Sequence, residues 1–508
     1  GKTSAALQRV AYLLYKHRST LNAEQIVLFS PNPMFNSYVS TVLPELGEEN
    51  MQQTTLQEYL EYRLGREFLL EDPFAQMEFT LTASDDPEDT ARIAGMTFKA
   101  SNDFLQALLA YRDALGDEGM IFRPLIFRDR TVVSAEQMAA HFYSLDRSLP
   151  VPNRVRLLAE WLIETVKSWE KQERNKPWVR DEVDLMSEED YRKVYQALQK
   201  KNKRAKATFD DYKLQEQLLG KWVVRQYVKP LLKQIKRGRF IDTKEIYKQL
   251  FADPGSISRF AGADRLPAEW ETVCRQTVSK LERSELFYED AAPYLLLEDM
   301  IKGFRINTEV KYVFIDEAQD YSPLQFAYLM RLFPRSKITV LGDINQAIFA
   351  HSAQVADFGA FAAKYAKGET ETIRLTRSYR STREIVEFTK GMIPGGEAIV
   401  PFNRGGKKPT VTLTDRGAEL AGLIAERIRQ LAEDGHRTIA VICKTDRESL
   451  EMHRQLASRI SSELRLQRIS KSTASFSKGV MVIPSYLAKG VEFDAVIIPD
   501  ASANNYCR

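Results

Sequence analysis

Cysteine is scarce. Cys274, Cys443 and Cys507 are the only three in 508 residues, and they lie far apart. That distribution excludes a disulfide framework and a cysteine zinc site, and it suits a reducing compartment. No apolar run approaches the length of a membrane span and no signal-peptide pattern opens the chain, so a cytoplasmic protein without membrane contact is expected. Net charge is nearly absent too: 72 basic side chains against 69 acidic ones leave +3, so only local clusters could attract a polyanion. The chain begins at Gly1, Lys2 and Thr3 without an initiator methionine or the glycine loop that such a triplet closes. It stops at Arg508 soon after an apolar strand, and both ends read as internal to a longer protein. What is present is ordinary for a globular chain, 44% hydrophobic and 28% charged, and too long for one core, which predicts two or three domains.

Residues 312–349 organise the rest. Val313, Phe314 and Ile315 form a wholly apolar run, the pattern of a parallel strand covered on both faces, and it ends abruptly in Asp316 and Glu317. Ligands of such sheets sit beyond the carboxyl ends of strands. Ser322 and Pro323 supply an N-cap and first-turn proline for a helix that Pro334 stops. A second strand over 338–341 then delivers Gly342, Asp343 and Gln346 to the same edge. Adjacent carboxylates at a strand end point in different directions, so Asp316 could hold Mg²⁺ while Glu317 takes a proton from an attacking water. A lone Asp-Glu pair would read as a polar turn; the remaining chain supplies the context.

After Lys2 and Thr3, the residues Leu7, Val10, Ala11, Leu14 and Tyr15 share one face of a predicted helix. With a phosphate-binding loop completed upstream, Lys2 would reach β and γ phosphates, Thr3 would ligate Mg²⁺, and the helix N-terminus would favour the anion. Three residues are a weak signal alone; the apolar strand predicted over 25–30 and Asp316 give them weight. Residues 54–60 suit a strand entering a helix. From about Ile93 to Met300 long amphipathic helices dominate, as in Phe104, Leu105, Leu108, Leu109 and Leu115 or in 155–169, and strand alternation is scarce. The simplest reading is a helical domain inserted between two pieces of one α/β sheet.

That insertion carries two basic clusters: Lys200, Lys201, Lys203, Arg204 and Lys206, and residues 221–239, with seven basic side chains and no acidic one. They either contact phosphate or an acidic protein surface, or they form a solvated face balanced by Asp181, Glu182, Glu188, Glu189 and Asp190. Trp161, Trp169, Trp222 and Tyr227, at helical spacing, read as core rather than as stacking platforms. Beyond residue 368 a second α/β unit begins, with strand-like runs at 372–375, 410–413, 438–442 and 480–483. Arg380 lies in a polar turn before a helix, where a guanidinium could reach a phosphate held by a neighbouring domain. Lys489, Gly490 and Glu492 occupy the turn after the last run.

The sequences GKT, DEAQD (316–320), GDxxQ (342–346), SYRST (378–382) and AKGxEF (488–493), in this order, resemble the motifs of the UvrD/Rep family of superfamily-one helicases. The resemblance implies an α/β protein of two RecA-like parallel-sheet domains with ATP and Mg²⁺ in the cleft between them. Residues 1–92 and 301–367 would form the first domain, 93–300 a large α-helical insertion in it, and 368–508 the second. It implies that Gly1, Lys2, Thr3 and Ser4 end the phosphate loop, with Lys2 on the phosphates and Thr3 and Asp316 on the metal. Glu317 would be the catalytic base, Gln346 the γ-phosphate sensor, Tyr379 the aromatic on adenine and Arg380 an arginine finger. Gly490 and Glu492 would lie near the γ-phosphate and ribose.

The departures fall elsewhere. Ala347, Ile348, Phe349, Ala350 and His351 follow GDxxQ without the tryptophan that stacks on single-stranded DNA in the family. Pro484 and Tyr486 replace the threonine and histidine that normally precede AKG. These are DNA-tracking positions, so ATP hydrolysis is expected and strand unwinding is doubtful. The insertion, with residues 30–48 and 292–299, is similar to the HelD family of UvrD-like factors that bind bacterial RNA polymerase and recycle it from nucleic acid with ATP. That likeness implies RNA polymerase as partner, the insertion as an arm in its DNA channel, DNA or RNA as further contacts, and a monomer in complex with polymerase. It places an N-terminal arm upstream of Gly1 and a further arginine motif beyond Arg508, so the 508-residue piece alone is expected to be nearly inactive. A DNA helicase of the repair type and a non-catalytic binding module are the alternatives.

Overall fold

Where the sequence runs apolar over 26–29 and 313–315, the chain makes parallel strands. The computed structural model describes residues 2–31, 43–201, 209–349, 370–414, 418–471, 473 and 477–506. Ile26–Phe29 and Tyr312–Ile315 lie side by side at the centre of a four-stranded sheet, with Gln52–Thr54 and Lys337–Val340 at its edges and every pairing parallel. Nearly every central-strand residue is buried, whereas Lys337–Val340 is half-exposed, as an edge strand should be. Helix Lys2–Lys16 lays Leu7, Val10, Leu13 and Leu14 against Ile26, Leu28 and Phe314. Each such side chain contributes about 1.5–3 kcal/mol. Tyr15, expected on this face, is exposed: the buried stripe runs through Ala6 and Leu13 and is rotated away from it. Helix Pro323–Leu332 starts as expected, Ser322 and Gln325 capping each other's backbone N–H.

A second parallel sheet has the order Leu466–Arg468, Gly479–Pro484, Thr438–Cys443, Ala495–Ile497. Its central strand alternates. Val480 and Val482 meet Ile424, Ile428, Met452 and Leu456 from helices Ala418–Glu433 and Asp446–Ala457. Met481 and Ile483 point the other way, onto Met77 with Phe74 and Leu81 beside it. Those three belong to helix Pro73–Thr82, hundreds of residues earlier, which nothing in the sequence marked as part of this core. Polar contacts fasten the same helix: Glu78 accepts from the backbone N–H of Asp446 at 2.9 Å and from the Tyr486 hydroxyl at 2.9 Å, and Lys471 bonds Asp72 at 2.8 Å. A carboxylate there also complements the positive N-terminus of Asp446–Ala457.

Two expected strands are absent. Residues 372–375 and 410–413 have no regular structure, and Ile373, Leu375, Val411 and Leu413 are exposed. β-branched sequence gives a tendency, but a strand needs a neighbour's backbone; nearby, only Arg377–Ser378 finds one, in Val400–Pro401.

The chain divides into two compact units. One comprises Gly1–Leu105, Ala261–Leu295 and Arg305–Arg508, with both sheets; the other comprises Gln106–Phe260 and Leu296–Phe304. The helical unit is thus narrower than the 93–300 insertion expected. Helices Pro87–Ala100 and Trp270–Glu282 belong to the first unit, so close that a Cβ added to Gly95 would meet Val273 at 2.9 Å. Beside this contact the fully buried Lys99 bonds Thr277 at 2.7 Å and Asp290 at 2.8 Å.

The second unit is built on helices Val151–Glu173 and Phe209–Lys236. It also holds an antiparallel hairpin, Leu125–Phe127 with Arg130–Val133, in a stretch read as helical. Arg128 and Asp129 turn it with φ of 47° and 62°. The tryptophans are half-buried rather than deep core: Trp161 stacks on His141, while Trp169, Trp178 and Tyr227 surround Phe127. Cys274 and Cys443 are buried free thiols; Cys507 lies outside the described residues. Among the described residues no helix is long and apolar enough to cross a membrane.

Candidate nucleotide site at the edge of the first sheet

Strand register decides what meets at this edge. Phe29 pairs with Ile315 and Ile315 with Val340, so the residues that follow, Ser30, Asp316 and Leu341, leave the sheet together. Helix Lys2–Lys16 begins at the same place: the Thr3 hydroxyl donates to Asp316 Oδ2 at 2.8 Å across 313 residues of sequence. Lys2 Nζ is buried without a hydrogen-bond partner, its nearest carboxylate being Asp343 at 4.0 Å. An ammonium has three donors, and leaving all of them unused out of water is costly unless an anion takes them up.

Asp316 is buried, and burial is the main cause of a carboxyl pKa above its usual range. Glu317 next to it raises it further, while the Thr3 hydroxyl and Lys2 pull it down. Glu317 adopts a left-handed backbone, φ 46° and ψ 45°, uncommon for a residue with a side chain. The kink lets successive carboxylates diverge: the Glu317 N–H donates to Asp316 Oδ1 at 2.9 Å, while Gln319 Nε2 donates to Glu317 Oε2. Such strain persists only where surroundings over-determine it, and it concentrates at functional sites.

The GDxxQ turn docks on the same cluster. Gln319 Oε1 accepts from the Asp343 N–H at 2.9 Å, and Gln346 Nε2 donates to Asp343 Oδ2 at 2.7 Å. Lys489 reaches in from beyond the second sheet and donates to both Asp320 oxygens, at 2.6 and 2.7 Å, and to the Gln346 carbonyl at 2.7 Å. Burial pushes Asp320 up to about 6, with Lys489 opposing the rise. A cleft lined by Glu317, Asp320, Phe74, Phe349, Tyr486 and Lys489 opens beside the cluster.

The structure therefore brings Lys2, Thr3, Asp316, Glu317 and Gln346 together, with Ser4 in the same first helical turn. Gly1 and His351 lie outside the described residues. Arg380 and Glu492 meet each other instead: Arg380 Nε donates to Glu492 Oε1 at 2.6 Å, both side chains more than half exposed. Tyr379 is exposed and tilted against Phe402, with ring centroids 5.1 Å apart. Gly490 has φ +81°, which other residues rarely adopt, although no atom crowds it. Gln319, Asp320, Asp343 and Lys489 were given no role from sequence. The signal was their place inside the motifs; which letters bond to which requires the fold.

Residues 1–366 match the family described as UvrD/REP helicase N-terminal domain. The chain belongs to the UvrD/REP helicase family. It is similar to a protein of Acanthamoeba polyphaga mimivirus whose name places it with the ATP-dependent DNA helicases, 26% identical over 213 residues, 38% of this chain and 29% of that protein. It is also similar to a protein of Bacillus subtilis named in the same way, 29% identical over 136 residues, 24% of this chain and 18% of that protein. The chain thus spans less than a third of either relative.

The residues fit Mg²⁺ and ATP. Among the described residues no three His, Cys, Asp or Glu side chains converge as a protein-only metal cage. Thr3 and Asp316 instead offer two hard oxygens, a partial set that suits Mg²⁺ shared with phosphates and water. The Lys2 ammonium, 4.0 Å from Asp343 and without a hydrogen-bond partner, supplies positive charge and donors for a phosphate.

Proposed function

We propose that this chain is the ATP-hydrolysing core of a HelD-like factor that binds RNA polymerase and helps release it from nucleic acid. The observation that carries the catalytic half is the Thr3–Asp316 contact beside a Lys2 Nζ that has no hydrogen-bond partner. Bound Mg²⁺ would neutralise charge on the β and γ phosphates. Thr3 and Asp316 would hold it, Lys2 would bind the phosphates, and Glu317 would take the proton of the attacking water. Gln346, fixed by Asp343 and adjoining the Lys489 contact, would relay the nucleotide state to the second sheet.

The polymerase half is supported by the separate helical unit and by the family's DNA-tracking positions. Tyr486 is tied to Glu78 and stacks on Phe74, with centroids 5.9 Å apart, so its ring is engaged within the chain. Such a factor would act in the cytoplasm as a monomer on polymerase. The test is deletion of 106–260 with a short linker in the protein that carries this chain. ATP binding should persist while association with RNA polymerase is lost; undiminished association would remove the arm from that role. The relatives' names favour a second reading, a DNA helicase, which displacement of a strand from a tailed duplex would reveal.

A further inference from the structure

Glu78 belongs to none of the ordered motifs, yet its carboxylate joins two elements of the second sheet. Oε2 accepts from the Asp446 N–H and from the Tyr486 hydroxyl, each at 2.9 Å, and Oε1 accepts from the Arg447 N–H at 3.4 Å. Asp446 and Arg447 open helix Asp446–Ala457, and the first N–H groups of a helix have no carbonyl behind them. The Thr445 side chain takes the Glu448 N–H at 3.1 Å; a carboxylate from a distant helix completes the cap. Tyr486, 408 residues on from Glu78, is the second residue of the short helix Ser485–Ala488, which follows the strand Gly479–Pro484.

A helix of four residues has too few internal hydrogen bonds to hold its own direction, so its contacts aim it. The Ser485 hydroxyl donates to the Lys444 carbonyl at 2.9 Å, and Leu487 is buried. Tyr486 is held at its ring by Phe74 and at its hydroxyl by Glu78. Burial, and then the bond to Glu78, push the Tyr486 phenol above its usual range, so the hydroxyl stays a donor at neutral pH. Three residues on, Lys489 donates to Asp320 and to the Gln346 carbonyl. The helix that carries Glu78 is itself anchored. Gln76 donates to Glu289 at 2.8 Å, and the Arg92 guanidinium, paired with Glu71 and Glu289, lies 4.2 Å from the centroid of the Phe79 ring.

We propose that Glu78 is a positioning residue for the nucleotide site: through the Tyr486 hydroxyl and the Asp446 N–H it fixes the turn from which Lys489 reaches Asp320 and Gln346. Resting on the ATP-hydrolysing reading of that site, this role holds the geometry in which hydrolysis occurs and does not bind the nucleotide. Among the described residues no hydrogen bond joins Glu78 or Tyr486 to Lys2, Thr3 or Asp316, so losing the link should alter turnover more than affinity.

The test uses Tyr486→Phe and Glu78→Ala in the protein that carries this chain. Tyr486→Phe keeps the ring on Phe74 and removes one hydroxyl. Without nucleotide, lysines are acetylated by a small reagent for increasing times, and the rate at each is read by mass spectrometry. In both variants Lys489 should label about tenfold faster than in wild type, the weight of a hydrogen bond to a charged group. The fully buried Lys99 should keep its rate. Equal acceleration at Lys99 in Tyr486→Phe would mark general loosening and overturn the proposal. With ATP, kcat should fall about tenfold while KM stays within about twofold, the signature of misplaced rather than missing groups. Glu78→Gln, which keeps an acceptor for both donors, should recover most of that loss. Unchanged labelling of Lys489 would overturn the role of Glu78 and leave the nucleotide reading standing, as would a normal kcat with a raised KM. A wild type that turns over no ATP would remove both.

Discussion

Charge is used in opposite ways at the edge of the first sheet and along helix Phe209–Lys236. At the sheet edge Asp316, Glu317 and Asp320 are enclosed, and hydrogen bonds tie them to Thr3, Gln319 and Lys489. On the helix, Arg225, Lys229 and Lys233 are exposed and have no ion-pair partner among the described residues. Enclosed charge interacts strongly over short distances and must be positioned to the ångström; exposed charge is weak per group, acts at long range and tolerates imprecision. The first arrangement suits chemistry on one bound molecule, the second attraction of an extended polyanion.

The contrast predicts that enclosed charges are costly to disturb. The largest effect is expected for Lys99→Met, which removes the ammonium that bonds the buried Asp290 at 2.8 Å. It should destabilise the protein by about 3–5 kcal/mol in urea unfolding; a loss below about 1 kcal/mol would mean that water reaches the site. Next is Glu317→Gln, which keeps shape and removes the base. In the protein carrying this chain it should bind a fluorescent ATP analogue normally yet release phosphate at least about a hundredfold more slowly. Turnover within a few fold of wild type would take Glu317 out of that role.

A smaller effect is expected from acid. The folded-state pKa of Asp320, about 6, stands above its ordinary 3.8, so the native protein takes up this proton before the unfolded chain does. The resulting stability is complete below about pH 4 and is lost as pH rises through 6. Between pH 7 and pH 4, wild type should therefore gain on Asp320→Asn by on the order of 2 kcal/mol, read from urea midpoints. Parallel curves would show that Asp320 titrates normally. The smallest effect belongs to the exposed stripe: the R225Q, K229Q and K233Q variant should keep its stability within about 0.5 kcal/mol. A large loss there would erase the contrast between the two regions.

Much of the site was legible because phosphate chemistry constrains residue type and order. The strand over 312–315, its acidic end, the capped helix after Ser322 and the docking of Lys2 and Thr3 beside Asp316 all followed from local pattern and motif order. The strands expected at 372–375 and 410–413 failed because β-branched sequence cannot announce whether a neighbouring backbone will be present.

By itself, the sequence determined the buried strands over 26–29, 312–315, 438–443 and 479–484 and which residue types would gather at the carboxyl ends of the first two, since both depend on short-range periodicity and turn chemistry. Only the tertiary structure decided that helix Pro73–Thr82 would cover the second sheet and that Glu78 would be fixed by Tyr486 and the Asp446 N–H. It likewise decided that Lys489 would close on Asp320. These outcomes depend on which distant surfaces and charges come within a few ångströms, a competition among long-range contacts that no local pattern encodes.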